Sequence, residues 1–400
     1  MSHTEDLQQR WAASMMNSYG TPPIALDRGA GVRVWDVDGR EYLDFIGGIA
    51  VSSLGHAHPS VVDAVRRQVG ELAHTSNLAI HQPGVLLAER LLDLAGGDGR
   101  VFFANSGAEA NECALKLARL HGRRLEPSGR RLGVVAANGS FHGRTLGALS
   151  ITGNVAKREP FSPLLEPVTF VEYGDAEALR SAVTETTAAV FLEPTLGEGG
   201  LVPPPPGYLV AARETCDAAG ALMVVDEVQS GIGRTGHWFA SFAEGIRPDV
   251  LTLAKGLGGG LPLGACIGLG QAGHLFAPGE HGSTFGGNPV SCAAALAVLT
   301  TIADEDLLGG AKRVGEYLAE RLRRLDSPVV RAVRGAGLWR GLVLHAACGP
   351  DVEAAARERG LLVNAVKPDV IRLAPPLILT ETDVDEAIPR LEGALGSVRS

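Results

Sequence analysis

Ala221-Leu222-Met223-Val224-Val225-Asp226-Glu227-Val228-Gln229 carries a short apolar run, rich in β-branched residues, that stops at an acid. Its length and composition are those of a buried strand. A second run of the same kind, Val250-Leu251-Thr252-Leu253-Ala254, stops at Lys255 and is followed by Gly256 and Gly258-Gly259-Gly260. In open α/β sheets ligands sit beyond the carboxyl ends of the strands. Two strands ending in Asp226 and Lys255 therefore aim a carboxylate and an amine into one crevice.

That pair has a defined use. Pyridoxal phosphate needs a lysine to form a Schiff base and an acid to keep its ring nitrogen protonated. The chain has five lysines, Lys116, Lys157, Lys255, Lys312 and Lys367. Lys116 and Lys312 fall in helical patterns, where a solvated face is the ordinary outcome, and Lys157 and Lys367 lie beside proline or loop residues. Lys255 alone ends an apolar run.

Working outward, residues 60–292 alternate strand-like and helix-like stretches, as βαβ units in a mainly parallel sheet do. Arg100–Ala104 reads as a strand, and Asn105-Ser106-Gly107-Ala108-Glu109 turns into a helix, Ala110–Leu120, with Gly122 as its expected stop. A small-residue turn at a helix start offers unpaired N–H groups and the positive end of a dipole, which suits a phosphate; an ordinary cap is the competing reading. Leu132–Ala136 is the next strand, leading to Phe141-His142-Gly143-Arg144-Thr145. Phe141 is placed to stack on a flat ring, and Arg144 to hold a carboxylate in a fork. Core packing and a surface ion pair are the plain alternatives for these two. Ala188–Leu192 ends at Glu193, before Gly197-Glu198-Gly199-Gly200, where the glutamate is either exposed or facing a ligand. Gly282-Ser283-Thr284 is a second hydroxyl cluster before a helix.

The flanks read differently. Residues 1–60 form an arm with a small sheet: a helical turn over Trp11–Tyr19, then a hairpin around Asp38-Gly39. Residues 61–305 form the large domain, and 306–400 a smaller α+β domain, with the linking break at Leu308-Gly309-Gly310. Arg372 lies in its last strand, Val370–Leu373, where a solvent-facing role is the plain reading.

Totals narrow the class. A chain of 400 residues exceeds one small core. A net charge of -9, with no lysine-arginine block, argues against nucleic acid or an anionic membrane as partner. Cys113, Cys216, Cys266, Cys292 and Cys348 show neither zinc nor disulfide spacing, and His56 and His58 have no ligand cluster beside them, so no metal is expected. With no signal core and no bilayer-length apolar run, the expectation is a cytoplasmic protein.

Gly231-Ile232-Gly233-Arg234-Thr235-Gly236 matches G-x-G-x-x-G. The acid that should end the following strand is replaced by Lys255, and a polar stretch separates strand from motif, so a dinucleotide oxidoreductase is the remote alternative. A non-enzymatic cofactor-binding or regulatory protein is the other, without a DNA-reading helix pair or basic face to support it.

Taken in order, Asp44-Phe45 with Gly47-Gly48-Ile49-Ala50-Val51, Gly55-His56-Ala57-His58-Pro59, Asn105 to Glu112, Phe141 to Thr145, Gly197 to Gly200, Asp226 to Gln229, Ala254-Lys255 and Ser283-Thr284 resemble the class III, fold-type I pyridoxal-phosphate aminotransferases over nearly the whole chain. Within that family the entry segment Met16–Pro23 resembles the members that act on N2-acetyl-L-ornithine in arginine biosynthesis. The resemblance implies a mainly parallel sheet flanked by helices, and a small domain shared by the C-terminal segment and the N-terminal arm. It implies that Lys255 carries the cofactor and moves the substrate proton, that Asp226 pairs with the ring nitrogen, and that Val228 and Phe141 enclose the ring. Gln229 would bond the phenolic oxygen and Glu227 belongs to the same set. Ser106, Gly107 and Ala108 would hold the phosphate, joined by Thr284 from the neighbouring subunit of a homodimer with shared sites, with Ser283 beside it. Arg144 and Arg372 would take substrate carboxylates, and Glu198 would neutralise Arg372 when no carboxylate is there. The implied reaction converts N2-acetyl-L-ornithine and 2-oxoglutarate to N-acetyl-L-glutamate 5-semialdehyde and L-glutamate. N-succinyl-diaminopimelate, ornithine, 4-aminobutyrate and N-succinylornithine remain open as donors.

Overall fold

Runs that are apolar on both faces can only be central strands, and they assemble accordingly. The computed structural model describes residues 2–398; Met1, Arg399 and Ser400, the outer ends of the expected arm and C-terminal domain, lie outside the described residues. The large sheet has seven strands in the spatial order Gly99–Ala104, Gly264–Leu269, Val250–Leu253, Leu222–Asp226, Thr187–Leu192, Gly133–Ala137 and Val168–Val171. All run parallel except Gly264–Leu269, which pairs antiparallel with both neighbours. Every residue of Thr187–Leu192, Leu222–Asp226 and Val250–Leu253 is buried. Glu193, Asp226 and Lys255 therefore emerge at the carboxyl ends of three adjacent strands, on one edge.

The arm and the C-terminal segment share a sheet. Leu26–Ala30, Arg33–Asp36 and Glu41–Asp44 are antiparallel, and Leu361–Leu362 adds to them in parallel. The Asp38-Gly39 turn forms as expected: Gly39 takes φ +87°, and Asp36 Oδ1 accepts from the N–H groups of Asp38 and Arg40. A second four-stranded antiparallel sheet, ordered Val330–Ala336, Trp339–Leu344, Val370–Leu373 and Asn364–Lys367, carries Arg372.

Three local expectations are corrected. The first helix is His3–Ser14, not a turn over Trp11–Tyr19; a Ser2/Glu5 capping box sets its start, and Thr21-Pro22-Pro23 lies well beyond its end. Gly122 does not stop its helix, which runs Gly107–Leu125; a Cβ at Gly122 would lie 1.8 Å from the Arg131 carbonyl oxygen, so glycine is there for close approach. The break before the last quarter of the chain falls at Glu305–Asp306, between helices Pro289–Asp304 and Leu307–Arg323; Asp306 (φ +49°) caps the second helix at Gly309 N, which leaves Gly309-Gly310 inside it. Among the described residues, no helix is long and apolar enough to cross a membrane. Among them, too, no group of three or more His, Cys, Asp or Glu side chains is arranged to hold a metal ion. His56 instead pairs with Asp44 at 2.8 Å.

Candidate active site

The carboxyl edge of the large sheet opens into a cavity of about 400 Å³. Ser106, Gly107, Ala108, Phe141, Arg144, Asp226, Val228, Gln229 and Lys255 all line it, together with Asn111, His142 and Glu193. The floor is Asp226. Its Oδ2 accepts from Asn111 Nδ2 (2.7 Å) and His142 Nδ1 (2.8 Å), and its Oδ1 from Val228 N (3.0 Å). Asn111 is itself locked, donating also to the His142 carbonyl (2.7 Å) and accepting from Thr252 Oγ1 (2.9 Å). Burial alone would favour a neutral His142 ring. The Asp226 hydrogen bond and the charges of Asp226 and Glu193 outweigh it and raise the pKa. The carboxylate is thereby fixed in direction, with the His142 ring hydrogen-bonded behind it.

Lys255 stands at φ +44°, a left-handed conformation uncommon for a side-chain-bearing residue and typical of sites where position outweighs local strain. Burial, then the positive charge of Arg372, lowers its pKa to about 8, against the opposing pull of Glu198, Asp226 and Glu193. An amine held there is still mostly protonated at pH 7, but its free fraction is far above that of an ordinary lysine, which favours a nucleophilic role. Glu193 closes the wall: Oε1 accepts from Phe141 N (2.8 Å) and Oε2 from Gly197 N (3.0 Å), and burial pushes its pKa up to about 7.

Phe141 and Val228 both line this space. Gly107 is needed beside them, because a Cβ there would meet the Val228 side chain at 2.8 Å. Ser106 caps the 19-residue helix Gly107–Leu125 through its Oγ to Glu109 N, so the positive end of that helix faces the cavity. Glu112 accepts from Thr145 Oγ1 (2.6 Å) and Ala148 N (3.1 Å), tying the Arg144 loop to the same helix.

At the rim, Arg372 is buried rather than solvent-facing. It donates to Glu198 Oε1 (2.7 Å), Gln229 Oε1 (3.1 Å) and Asn364 Oδ1 (2.7 Å). The pairing expected between Glu198 and Arg372 is present. Arg144 is exposed, with its guanidinium 5.7 Å from the Phe141 ring centroid.

Two groups of expected site residues are not brought to this cavity. Glu227 is turned away and buried, accepting from Ser230 Oγ (2.5 Å), Ser241 N (2.7 Å) and Ser241 Oγ (2.7 Å), so it braces the turn behind the floor. Ser283 and Thr284 lie on a separate loop, where Ser283 Oγ accepts from Gly286 N (2.9 Å) and Asn105 Nδ2 (3.3 Å). Sequence reasoning also missed roles. Asn111 sits one helical turn after Gly107, on the same face, and Glu193 ends a buried strand just as Asp226 does; both signals were legible. The Gly231–Gly236 motif runs through turns to a four-residue helix, Ala240–Ala243, with Arg234 buried and donating to the Leu338 and Pro375 carbonyls. It offers no long helix start for a dinucleotide pyrophosphate.

The comparison with known proteins agrees with this architecture. Residues 14–395 match the model of the aminotransferase class-III family. The chain belongs to the class III aminotransferases. It is 58% identical over 392 residues to the acetylornithine aminotransferase of Streptomyces coelicolor, covering 98% of this chain and 96% of that one. It is 55% identical over 389 residues to that of Mycolicibacterium smegmatis, covering 97% and 98%. Among solved structures, the ornithine aminotransferase of Toxoplasma gondii matches with a TM-score of 0.95 at 33% identity, covering 99% of this chain and 96% of that one. This class III aminotransferase is therefore a fold-type I, pyridoxal-phosphate-dependent enzyme. The cavity fits the cofactor in kind: a helix start for an anion, a glycine whose missing Cβ leaves room beside Val228, a fixed carboxylate and an amine of lowered pKa.

Proposed function

We propose that this aminotransferase moves the terminal amine of N2-acetyl-L-ornithine to 2-oxoglutarate, yielding N-acetyl-L-glutamate 5-semialdehyde and L-glutamate, in arginine biosynthesis. The observation that carries the reading is the Glu198–Arg372 pair at 2.7 Å beside the cavity. A site that binds an amine donor and then a dicarboxylate needs a cation that can be covered or exposed, because an unpaired buried charge is costly. With the donor bound, Glu198 covers Arg372; with 2-oxoglutarate, Arg372 takes its α-carboxylate and Arg144 the distal one. Arg144 also takes the α-carboxylate of the donor. The donor's acylated nitrogen is favoured by Ile49, Ala50 and Val51, which offer a free α-ammonium no polar partner. The names of the relatives at 46–58% identity support the same donor.

The residues divide the chemistry. Bound pyridoxal phosphate supplies the electron sink that lets the carbon bearing the amine lose a proton. Ser106, Gly107 and Ala108 would hold its phosphate at the helix start, Phe141 and Val228 would enclose its ring, and Gln229 would orient its phenolic oxygen. Asp226 would pair with the ring nitrogen, and keeping that nitrogen charged would be electrostatic catalysis. Lys255 Nζ would tie the cofactor at rest and, once freed, would hold and move the proton lost by the substrate carbon. We place Thr284, with Ser283 beside it, at the phosphate of a second copy in a homodimer. Support comes from the exposure of Leu78, Ile80 and Phe285, with Asn77 tying the two loops through the Ser283 and Gly286 carbonyls (both 3.1 Å).

The test is a donor panel on the holoenzyme, following loss of cofactor absorbance in single half-reactions. N-acetylornithine should exceed ornithine in kcat/KM by about 10²-fold, the scale set by leaving a charged group without partners. Faster turnover of ornithine or 4-aminobutyrate would overturn the donor assignment.

A further inference from the structure

Glu198 is in reach of two cations. Its Oε1 accepts from Arg372 at 2.7 Å, while its Oε2 lies 3.8 Å from Lys157 Nζ, at the edge of ion-pair distance. Lys157 belongs to the short helix Val155–Arg158, and its ammonium sits 4.7 Å from the Phe141 ring centroid, on the ring that walls the cavity. Three-quarters of its side chain is covered, although the residue reads from sequence as an ordinary loop lysine. Burial holds its amine below the ordinary lysine range, Glu198 pulls it back up, and Arg144, Lys367 and Arg372 push it down again. The ammonium is thus confined among cations, with Glu198 as its counter-charge.

Emptying Arg372 for an incoming carboxylate creates a problem for Glu198, which would remain, negative and three-quarters buried, beside a second negative group. The loop that carries it is closely packed on both sides of Glu198. Gly197 N is bonded to Glu193, a Cβ on Gly197 would meet the Gln229 side chain at 2.7 Å, and one on Gly199 would meet Leu196 at 2.8 Å. A rotation of the Glu198 side chain is the displacement that leaves this packing intact. Among the described residues, Lys157 is the one other cation within 4.0 Å of its carboxylate.

We propose that Lys157 is the second station of Glu198: when a dicarboxylate takes Arg372, the Glu198 carboxylate rotates onto the Lys157 ammonium. This deepens the reading of Arg372 and Glu198 above and rests on it. Lys157 is then a positioning residue that sets the affinity for the dicarboxylate substrate, while the amine donor, for which Glu198 stays on Arg372, is little affected by it.

The experiment uses holoenzyme and glutarate, a five-carbon dicarboxylate without a reactive carbonyl, with binding measured by calorimetry. Lys157→Met should weaken glutarate, and raise the KM for 2-oxoglutarate with kcat nearly constant, by about tenfold, as for loss of one close charge pair. The donor KM should move by less than about twofold, and Lys157→Arg should restore most of the glutarate affinity. A crystal structure of the wild-type glutarate complex should show Glu198 at about 3 Å from Lys157 Nζ. Equal weakening of donor and dicarboxylate, no change for glutarate, no rescue by arginine, or Glu198 still on Arg372 in the complex would each overturn the proposal. Arg372→Gln separates the two levels. If glutarate binds it as well as wild type, the role given to Arg372 fails and takes this inference with it. If Arg372→Gln abolishes binding while Lys157→Met changes nothing, only the second station is lost.

Discussion

Asp226 and Glu198 are both carboxylates of the same cavity region, and they are held in opposite ways. Asp226 is 4% exposed and receives three hydrogen bonds, from Asn111, His142 and Val228, none longer than 3.0 Å. Its partners are themselves tied to Thr252 and to the backbone. Glu198, with a side chain 24% exposed, has one strong partner in Arg372 and a weaker one in Lys157. The floor has one arrangement available and the rim has two. A group that must face a developing charge at every turnover gains from having no alternative, since preorganised charge needs no reorganisation during the reaction. A group that must discriminate between substrates of different charge needs an alternative of comparable energy.

The sharpest way to break this division is at the floor. Lys255→Ala should lower turnover by at least about 10⁴-fold, the scale of losing a group proposed both to tie the cofactor and to move the proton. Folding should be retained, because alanine inherits the same left-handed backbone without adding bulk. Turnover, with borohydride labelling as the control for the covalent tie, checks this; residual labelling would mean another lysine serves. Asp226→Asn should come next, at about 10²–10³-fold in kcat, as for removal of one preorganised charge. The amide would also set an N–H donor against donors from Asn111, His142 or Val228. A loss under tenfold would show that the floor's charge is not used.

At the rim the signature is a split between substrates. Glu198→Gln should raise the KM of the amine donor by about tenfold, because Arg372 is left uncovered in a buried setting, while 2-oxoglutarate is unaffected or improved. Steady-state constants for both substrates decide it, and parallel losses would erase the distinction between floor and rim.

The same contrast explains what was readable from sequence. Strands buried on both faces announce themselves as continuous apolar runs, and their terminal residues Asp226 and Lys255 are read with them. Gly264–Leu269 is equally buried but begins with glycine and contains another, which masks it as a strand. The Asp226–Asn111 and Asp226–His142 bonds span 115 and 84 residues, so no local pattern encodes them. Lys157 reads as a loop residue in the sequence because its value comes from Phe141 and Glu198, which only the tertiary fold delivers. Gly122 is ambiguous in the sequence because a glycine ending a helix and one admitting a neighbouring carbonyl look alike in a single chain.

The smallest effect expected is also the one that tests the electrostatics of the floor without substrate. In the apoprotein, Lys255 has a pKa lowered to about 8 from the ordinary 10.5, chiefly by burial and then by the charge of Arg372. Between those two values the unfolded chain binds more protons than the folded one, so the Lys255 contribution makes stability rise with pH across that window and level off above it. Below about pH 8 both states are protonated and the folded state carries the full cost of the buried ammonium. Denaturant titrations of apoprotein at a series of pH values should show this slope, and Lys255→Met should flatten it. Reaction of the apoprotein with a small amine reagent gives an independent reading, since the free-amine fraction grows about fivefold from pH 7 to pH 8 when the midpoint lies at 8. Peptide mapping by mass spectrometry would assign that rise to Lys255 or to one of the other four lysines. A midpoint near 10.5 would mean that the floor does not tune this amine, and the contrast between a charge-poised floor and an adjustable rim would then rest on Asp226 alone.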